Sequence, residues 1–101
     1  MKFQAVYHGT VIAESDQTVV VEGNHYFPAQ SVGAEFLQDS STHTTCHWKG
    51  EASYYSVTAD GRTSQDAAWH YPSPSAEAAA ITDHIAFWKD VEVRPAPTAG
   101  G

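Results

Sequence analysis

The stretch Thr42-His43-Thr44-Thr45-Cys46-His47-Trp48-Lys49-Gly50-Glu51-Ala52-Ser53-Tyr54-Tyr55-Ser56-Val57-Thr58-Ala59-Asp60-Gly61 holds the clearest late strand and the densest chemistry of the chain. Glu51 to Ala59 combines aromatic and β-branched residues and stops at Asp60-Gly61, a turn pair, so it reads as a strand. Alternation puts Ala52, Tyr54 and Ser56 on one face and Ser53, Tyr55 and Val57 on the other. Two adjacent tyrosines on opposite faces imply that one packs in a core while the other faces a cavity. The spacing leaves open which is which.

Working outward, Lys2 to Tyr7 reads as a strand closed by His8-Gly9, and Val11-Ile12-Ala13 as a short run before a turn at Ser15-Asp16. Thr18 to Phe27 has the pattern of a hairpin turning at Gly23-Asn24, and Pro28, which has no ladder donor, ends it. Val32 to Leu37 fits either a strand or a helical turn. Ala67 to Tyr71 predicts a short strand stopped by Pro72 and Pro74. A short helix is predicted from Ala76 to about Asp83, with Ser75 as its N-cap and an alanine-rich body. His84 to Val93 reads as one final strand. The fold class is therefore mainly β, a small antiparallel barrel or sandwich with one short helix, in a single domain over residues 1–94. Residues 95–101, Pro-Ala-Pro-Thr-Ala-Gly-Gly, read as a disordered tail without core residues.

The chain has 101 residues, 42 % of them apolar, and 12 acidic residues against 5 basic ones give a formal charge of −7. That balance argues against nucleic-acid backbones and anionic membrane surfaces, both of which need clustered Lys and Arg. Cys46 is the only cysteine, so no internal disulfide forms and no oxidising compartment is demanded. With no signal-like N-terminus and no membrane-length apolar run, the expected location is cytoplasmic.

Against this charge-poor background, Thr42–Tyr55 and Asp66–Pro74 together contain two of the three tryptophans, three of the five tyrosines and Lys49. Such a gathering points to a lined pocket for a small anionic or planar ligand. Lys49 could neutralise an anion, with Gly50 letting backbone approach the ligand. A pKa depressed among rings would instead suit it to base or nucleophile work, and a surface lysine lying on Trp48 is the plain alternative. Cys46 reads as a nucleophile with His43, His47 or His70 as base, or as a small buried apolar residue. His43, Cys46 and His47, with His25 or His70, resemble a zinc set, but no second cysteine completes paired ligand spacings, and neither a metal nor a cofactor is expected. Glu22 and Asp66 are candidate general bases or partners of Lys49, or else solvated turn residues. Trp69 and Tyr71 share a strand face, as a stacking wall or as core.

At these residues the chain resembles the domain-of-unknown-function family 427, small bacterial proteins sometimes labelled nucleotidyltransferases. The resemblance rests on Val11–Ser15, Val21–Pro28, Thr45–Gly50, Ala52–Tyr55, Ala67–Pro72 and Ile85–Phe87, motifs spread in order over nearly the whole chain before the tail. It implies a compact β domain similar to the β-tent architecture, with a pocket lined by the Cys-x-Trp-Lys-Gly and Ala-Trp-x-Tyr segments. Glu22, Tyr26, Cys46, Trp48, Lys49, Gly50, Tyr54, Trp69 and Tyr71 fall on the family's pattern. His47 departs from it, proline being usual there, which speaks against a metal site that needs His47. No Gly-rich phosphate loop or paired Asp motif supports the transferase label. Three functions follow as expectations. The first is a binding domain for a small ligand, with Lys49 meeting an anionic group and Tyr26, Trp48, Gly50, Tyr54, Trp69 and Tyr71 around it. The second is an enzyme acting on a nucleotide-like metabolite through Lys49, Cys46 or Glu22. The third is an interaction module that forms a homodimer through a sheet edge or an aromatic patch.

Overall fold

The computed structural model describes residues 1–97, and Thr98 to Gly101, part of the expected tail, lie outside the described residues. Among the described residues nine strands form: β1 Phe3–Tyr7, β2 Thr10–Ser15, β3 Val19–Val21, β4 Asn24–Pro28, β5 Leu37–Cys46, β6 Gly50–Ala59, β7 Arg62–His70, β8 His84–Phe87 and β9 Val91–Pro95. They make two antiparallel sheets, a three-stranded one in the order β2-β1-β9 and a six-stranded one in the order β3-β4-β8-β7-β6-β5. The mainly β reading is correct. None of the helices described is long and apolar enough to cross a membrane.

Three hairpins share one turn chemistry. His8-Gly9, Glu22-Gly23 and Asp60-Gly61 each place two positive-φ residues between paired strand ends. This is the type I′ arrangement that matches strand twist, with glycine second. The turn expected at Gly23-Asn24 therefore sits one residue earlier: Val21 pairs with Asn24, and Glu22 takes the first turn position at φ 54°. That shift puts a carboxylate at a hairpin tip.

Strand alternation sorts the side chains of the large sheet. Phe27, Tyr55, Val57, Ile85 and Phe87 face the three-stranded sheet and pack with Ala5, Tyr7 and Ile12. Tyr26, Ala52, Tyr54, Trp69 and Ala86 face the other way, into a second cluster with Tyr71 and Ile81. The pair left undecided by sequence is thus resolved. Tyr55 packs against the main core and stacks on His70 with centroids 4.8 Å apart, while Tyr54 takes the opposite face.

Other expectations need correction. The predicted helix is a 3-10 segment, Ala76–Ile81, broken at Ala78 (φ −107°, ψ 20°), and Ser75 makes no capping bond because its hydroxyl donates to the Trp48 carbonyl. Two turns of alanine do not sustain an α-helix without packing, and here only Ala78 and Ile81 are buried. The predicted final strand is two strands. Lys89, at φ 57°, breaks it, sending β8 to the large sheet and β9 to the small one. Pairing continues one residue past the expected boundary, Phe3 opposite Pro95, and the Ala96 amide donates to the Lys2 carbonyl at 2.9 Å. Strand β5 has no counterpart in the sequence reading, since its run of Ser, Thr and Asp is largely exposed and lacks an apolar alternation.

Besides its pairing to β6, β5 is held by Asp66. The register of β6 and β7 slips between Tyr55 and Val57, and that of β5 and β6 between Asp39 and His43. Asp66 sits in the first bulge at φ 56° and its carboxylate accepts from the hydroxyls of Ser40 (2.5 Å) and Thr42 (2.8 Å) in the second. These bonds hold its pKa below the ordinary 3.8. Asp66→Ala removes both acceptors and a residue tolerant of positive φ, and is expected to cost about 1–3 kcal/mol in denaturant unfolding. Asp66→Asn, which keeps the turn preference, should lose less. Because the folded pKa is depressed, the advantage of aspartate over asparagine is complete above about pH 3.8 and disappears as pH falls through the lower folded value. An Asp66→Ala chain as stable as wild type would remove the clamp from this account.

Candidate functional site

The tip of the β5–β6 hairpin is His47-Trp48-Lys49, between the paired Cys46 and Gly50. A lysine at a hairpin tip normally points into water, yet Lys49 is only 4 % exposed. The loop before the 3-10 segment pins it. The Ser75 amide donates to the Lys49 carbonyl at 2.9 Å, and the Ser75 hydroxyl to the Trp48 carbonyl. Gly50, at φ 115°, takes a backbone conformation that side chains disfavour, and a Cβ there would lie a tight 3.3 Å from the Ser73 carbonyl oxygen. Its close approach is to this loop, not to a ligand as expected from sequence.

The Lys49 ammonium donates to Glu22, forming a salt bridge between the tips of β3–β4 and β5–β6. These hairpins occupy opposite ends of the six-stranded sheet, so the pair closes a recess over β8 and β7. The ammonium also lies 4.6 Å from the centroid of Trp48 and 5.7 Å from that of Tyr71. Burial works against its charge, but the hydrogen bond to Glu22 and the nearby Cys46 sulfur outweigh this, and its pKa rises above the ordinary value. The depression expected for a lysine among rings is reversed. Glu22, its side chain 54 % exposed, is held below the ordinary carboxylate range chiefly by the Lys49 hydrogen bond. Both groups are charged at neutral pH.

Between the tips lies a cavity of about 200 Å³ lined by Glu22, Asn24, Tyr26, Lys49, Tyr54, Trp69, Tyr71 and Trp88. Its walls are braced. The Trp69 indole donates to the Tyr26 hydroxyl at 3.2 Å, and Trp69 meets Trp88 edge to face at 5.8 Å. The Tyr54 hydroxyl is 3.0 Å from that of Thr44, and the Trp88 indole donates to the Asp66 carbonyl at 2.6 Å. Burial pushes Tyr71 up to about 12 and raises Tyr26 as well, so both keep their protons at neutral pH.

Of the residues singled out by sequence, Glu22, Tyr26, Lys49, Tyr54, Trp69 and Tyr71 converge on the cavity. Trp48 and Gly50 do not line it. Trp48 supports the ammonium through its ring and gives Glu22 a long indole bond of 3.4 Å. Asn24 and Trp88 were missed. The sequence reading put Trp88 inside a continuous strand, whereas it follows the end of β8 and is 46 % exposed at the site. Cys46 does not line the cavity; it is half-buried, its pKa lowered by the Trp48 backbone amide first and the Lys49 ammonium second. Asp66 belongs to the bulge clamp and is neither a base near Lys49 nor a solvated turn residue. The histidines are dispersed: His25 bonds Thr18, His43 bonds Ser53 and His70 stacks on Tyr55. Among the described residues no three His, Cys, Asp or Glu converge in a metal-binding group.

Fold and site together define a two-sheet antiparallel β domain with a ring-walled recess and an ion pair whose lysine is buried and whose glutamate is half in water. The chain belongs to the family described as a domain of unknown function, DUF427, whose model matches residues 1–95. No curated protein matches it.

The bonds at Cys46 make its thiol more acidic than an ordinary one, about 8.5 in model peptides. Alkylation rate against pH should therefore rise with a midpoint below that value, and the midpoint should move upward in Lys49→Met. An unshifted midpoint in both proteins would show that the ammonium does not reach the sulfur.

Proposed function

We propose that this protein binds a small planar ligand in the recess between Glu22 and Trp88, with the Lys49 ammonium as its polar anchor. One observation carries the reading: a lysine that stays charged is buried at the edge of an open cavity whose other walls are largely aromatic. Indole and phenol rings offer stacking faces, and the tyrosine hydroxyls remain available as donors. At about 200 Å³ the cavity falls below the roughly 300–1,000 Å³ of drug-sized sites, which favours a single ring system over a nucleoside triphosphate. The anionic ligand suggested by Lys49 alone must compete with Glu22 for the same ammonium.

A second reading, an enzyme acting on a nucleotide-like metabolite, draws on Cys46, whose half-exposed, acidified sulfur adjoins the cation. In that reading Cys46 is the nucleophile. Lys49, held protonated, stabilises developing negative charge rather than accepting a proton. Loss of turnover in Cys46→Ala with retained binding would separate it from a pure binding role.

A melting-temperature screen with small aromatic and heterocyclic compounds tests the binding reading, since a ligand of the folded state raises the midpoint. Lys49→Met is close in shape and leaves a Glu22 that is already half in water, so the fold should persist. Affinity for any hit should fall about tenfold or more, the loss of one charge-assisted hydrogen bond. Unchanged affinity in a folded Lys49→Met chain would refute the anchor.

A further inference from the structure

We infer that the ligand presents Lys49 and Glu22 with an uncharged edge carrying a hydrogen-bond acceptor beside a donor, as in an aromatic carboxamide or lactam. The inference rests on the binding role proposed above and names the ligand class of that site. It follows from the donors and acceptors at the cavity edge. An ammonium has three N–H donors. One goes to Glu22 and the ammonium lies over the Trp48 and Tyr71 rings, which leaves a donor for the cavity that Lys49 helps to line. A carboxylate has about four acceptor positions. Glu22 uses two of them, on Lys49 and the Trp48 indole, and it too lines the cavity. The recess thus offers a spare donor and a spare acceptor within one ion pair. Asn24, also in the wall, repeats the combination in a single amide.

Charge selects among ligands with such an edge. The pair is neutral as it stands, within a chain of formal charge −7. An anion would sit beside the Glu22 carboxylate, and a cation beside the Lys49 ammonium. Either meets a like charge at the shortest range the cavity allows. An uncharged edge with both functions uses the spare donor and acceptor without disturbing the balance. The neighbouring phenols do not alter this, because Tyr26 and Tyr71 stay protonated. The ring bearing the edge would lie among Trp69, Trp88 and Tyr54.

Three probes of one shape separate the cases: benzamide, benzoate and benzamidine carry a neutral, an anionic and a cationic head group on the same ring. Titrations followed by the indole N–H resonances of Trp69 and Trp88 should give benzamide an affinity about tenfold or more above the other two. Glu22→Gln removes the negative charge at constant shape and should improve benzoate relative to benzamide by about tenfold. Tightest binding of benzoate or benzamidine by wild type, with both indoles responding, overturns the neutral-edge inference while leaving the pocket in place. An unchanged benzoate-to-benzamide ratio in Glu22→Gln also overturns it. No response to any probe at millimolar concentration counts against the binding role itself, and this inference falls with it.

Discussion

The ion pair between Lys49 and Glu22 is the interaction on which the rest of the site depends. A buried ammonium is tolerable only when partnered, because leaving water costs several kcal/mol per ion. Its partner comes from the hairpin at the far end of the same sheet, so satisfying one charge draws two distant tips together. The recess is what remains between them. Removing the carboxylate therefore alters both the electrostatics of the cavity and the link between its two sides.

Several unusual backbone positions serve that link. Glu22 stands where glycine or asparagine would be at ease, and Gly50, at φ 115°, adopts a conformation that side chains disfavour. A non-glycine residue at positive φ costs of order 1–3 kcal/mol, and such residues gather where surroundings hold them in place. Here the surroundings are identifiable: the type I′ turn seats Glu22, while the Ser73–Ser75 loop seats Trp48, Lys49 and Gly50. A second polar construction acts behind the cavity. Asp66 ties two bulged strands, and its carbonyl receives the indole of Trp88, so the clamp that secures β5 also fixes one wall of the recess.

The parts of the fold legible in sequence were those with local signals. Apolar and β-branched runs ended by His8-Gly9 and Asp60-Gly61 identified β1 and β6, because turn chemistry and alternation act over a few residues. The polar β5 was illegible for the opposite reason: its place is set by hydrogen bonds to Asp66 and pairing to β6, neither of which leaves a hydrophobic period. The break at Lys89 was hidden because Ile85, Phe87, Val91 and Val93 keep one period-2 alternation across it. Ser75 looked like a helix cap, but its hydroxyl was taken by a carbonyl more than twenty residues away.

For the site, the sequence alone placed Lys49, one of 5 basic residues, within a ring-rich stretch of a chain whose formal charge is −7. Those are properties of residue identity and need no coordinates. Tertiary structure decided that Lys49 turns inward, that Tyr54 rather than Tyr55 shares its cavity, and that Trp88 and Asn24 complete the wall. It also decided the state of the lysine. Burial alone would depress its pKa, and the approach of Glu22 from the far hairpin, with Cys46 close by in its own, raises it. Charge state depends on what lies within a few ångströms in space, a distance that separation along the chain does not encode.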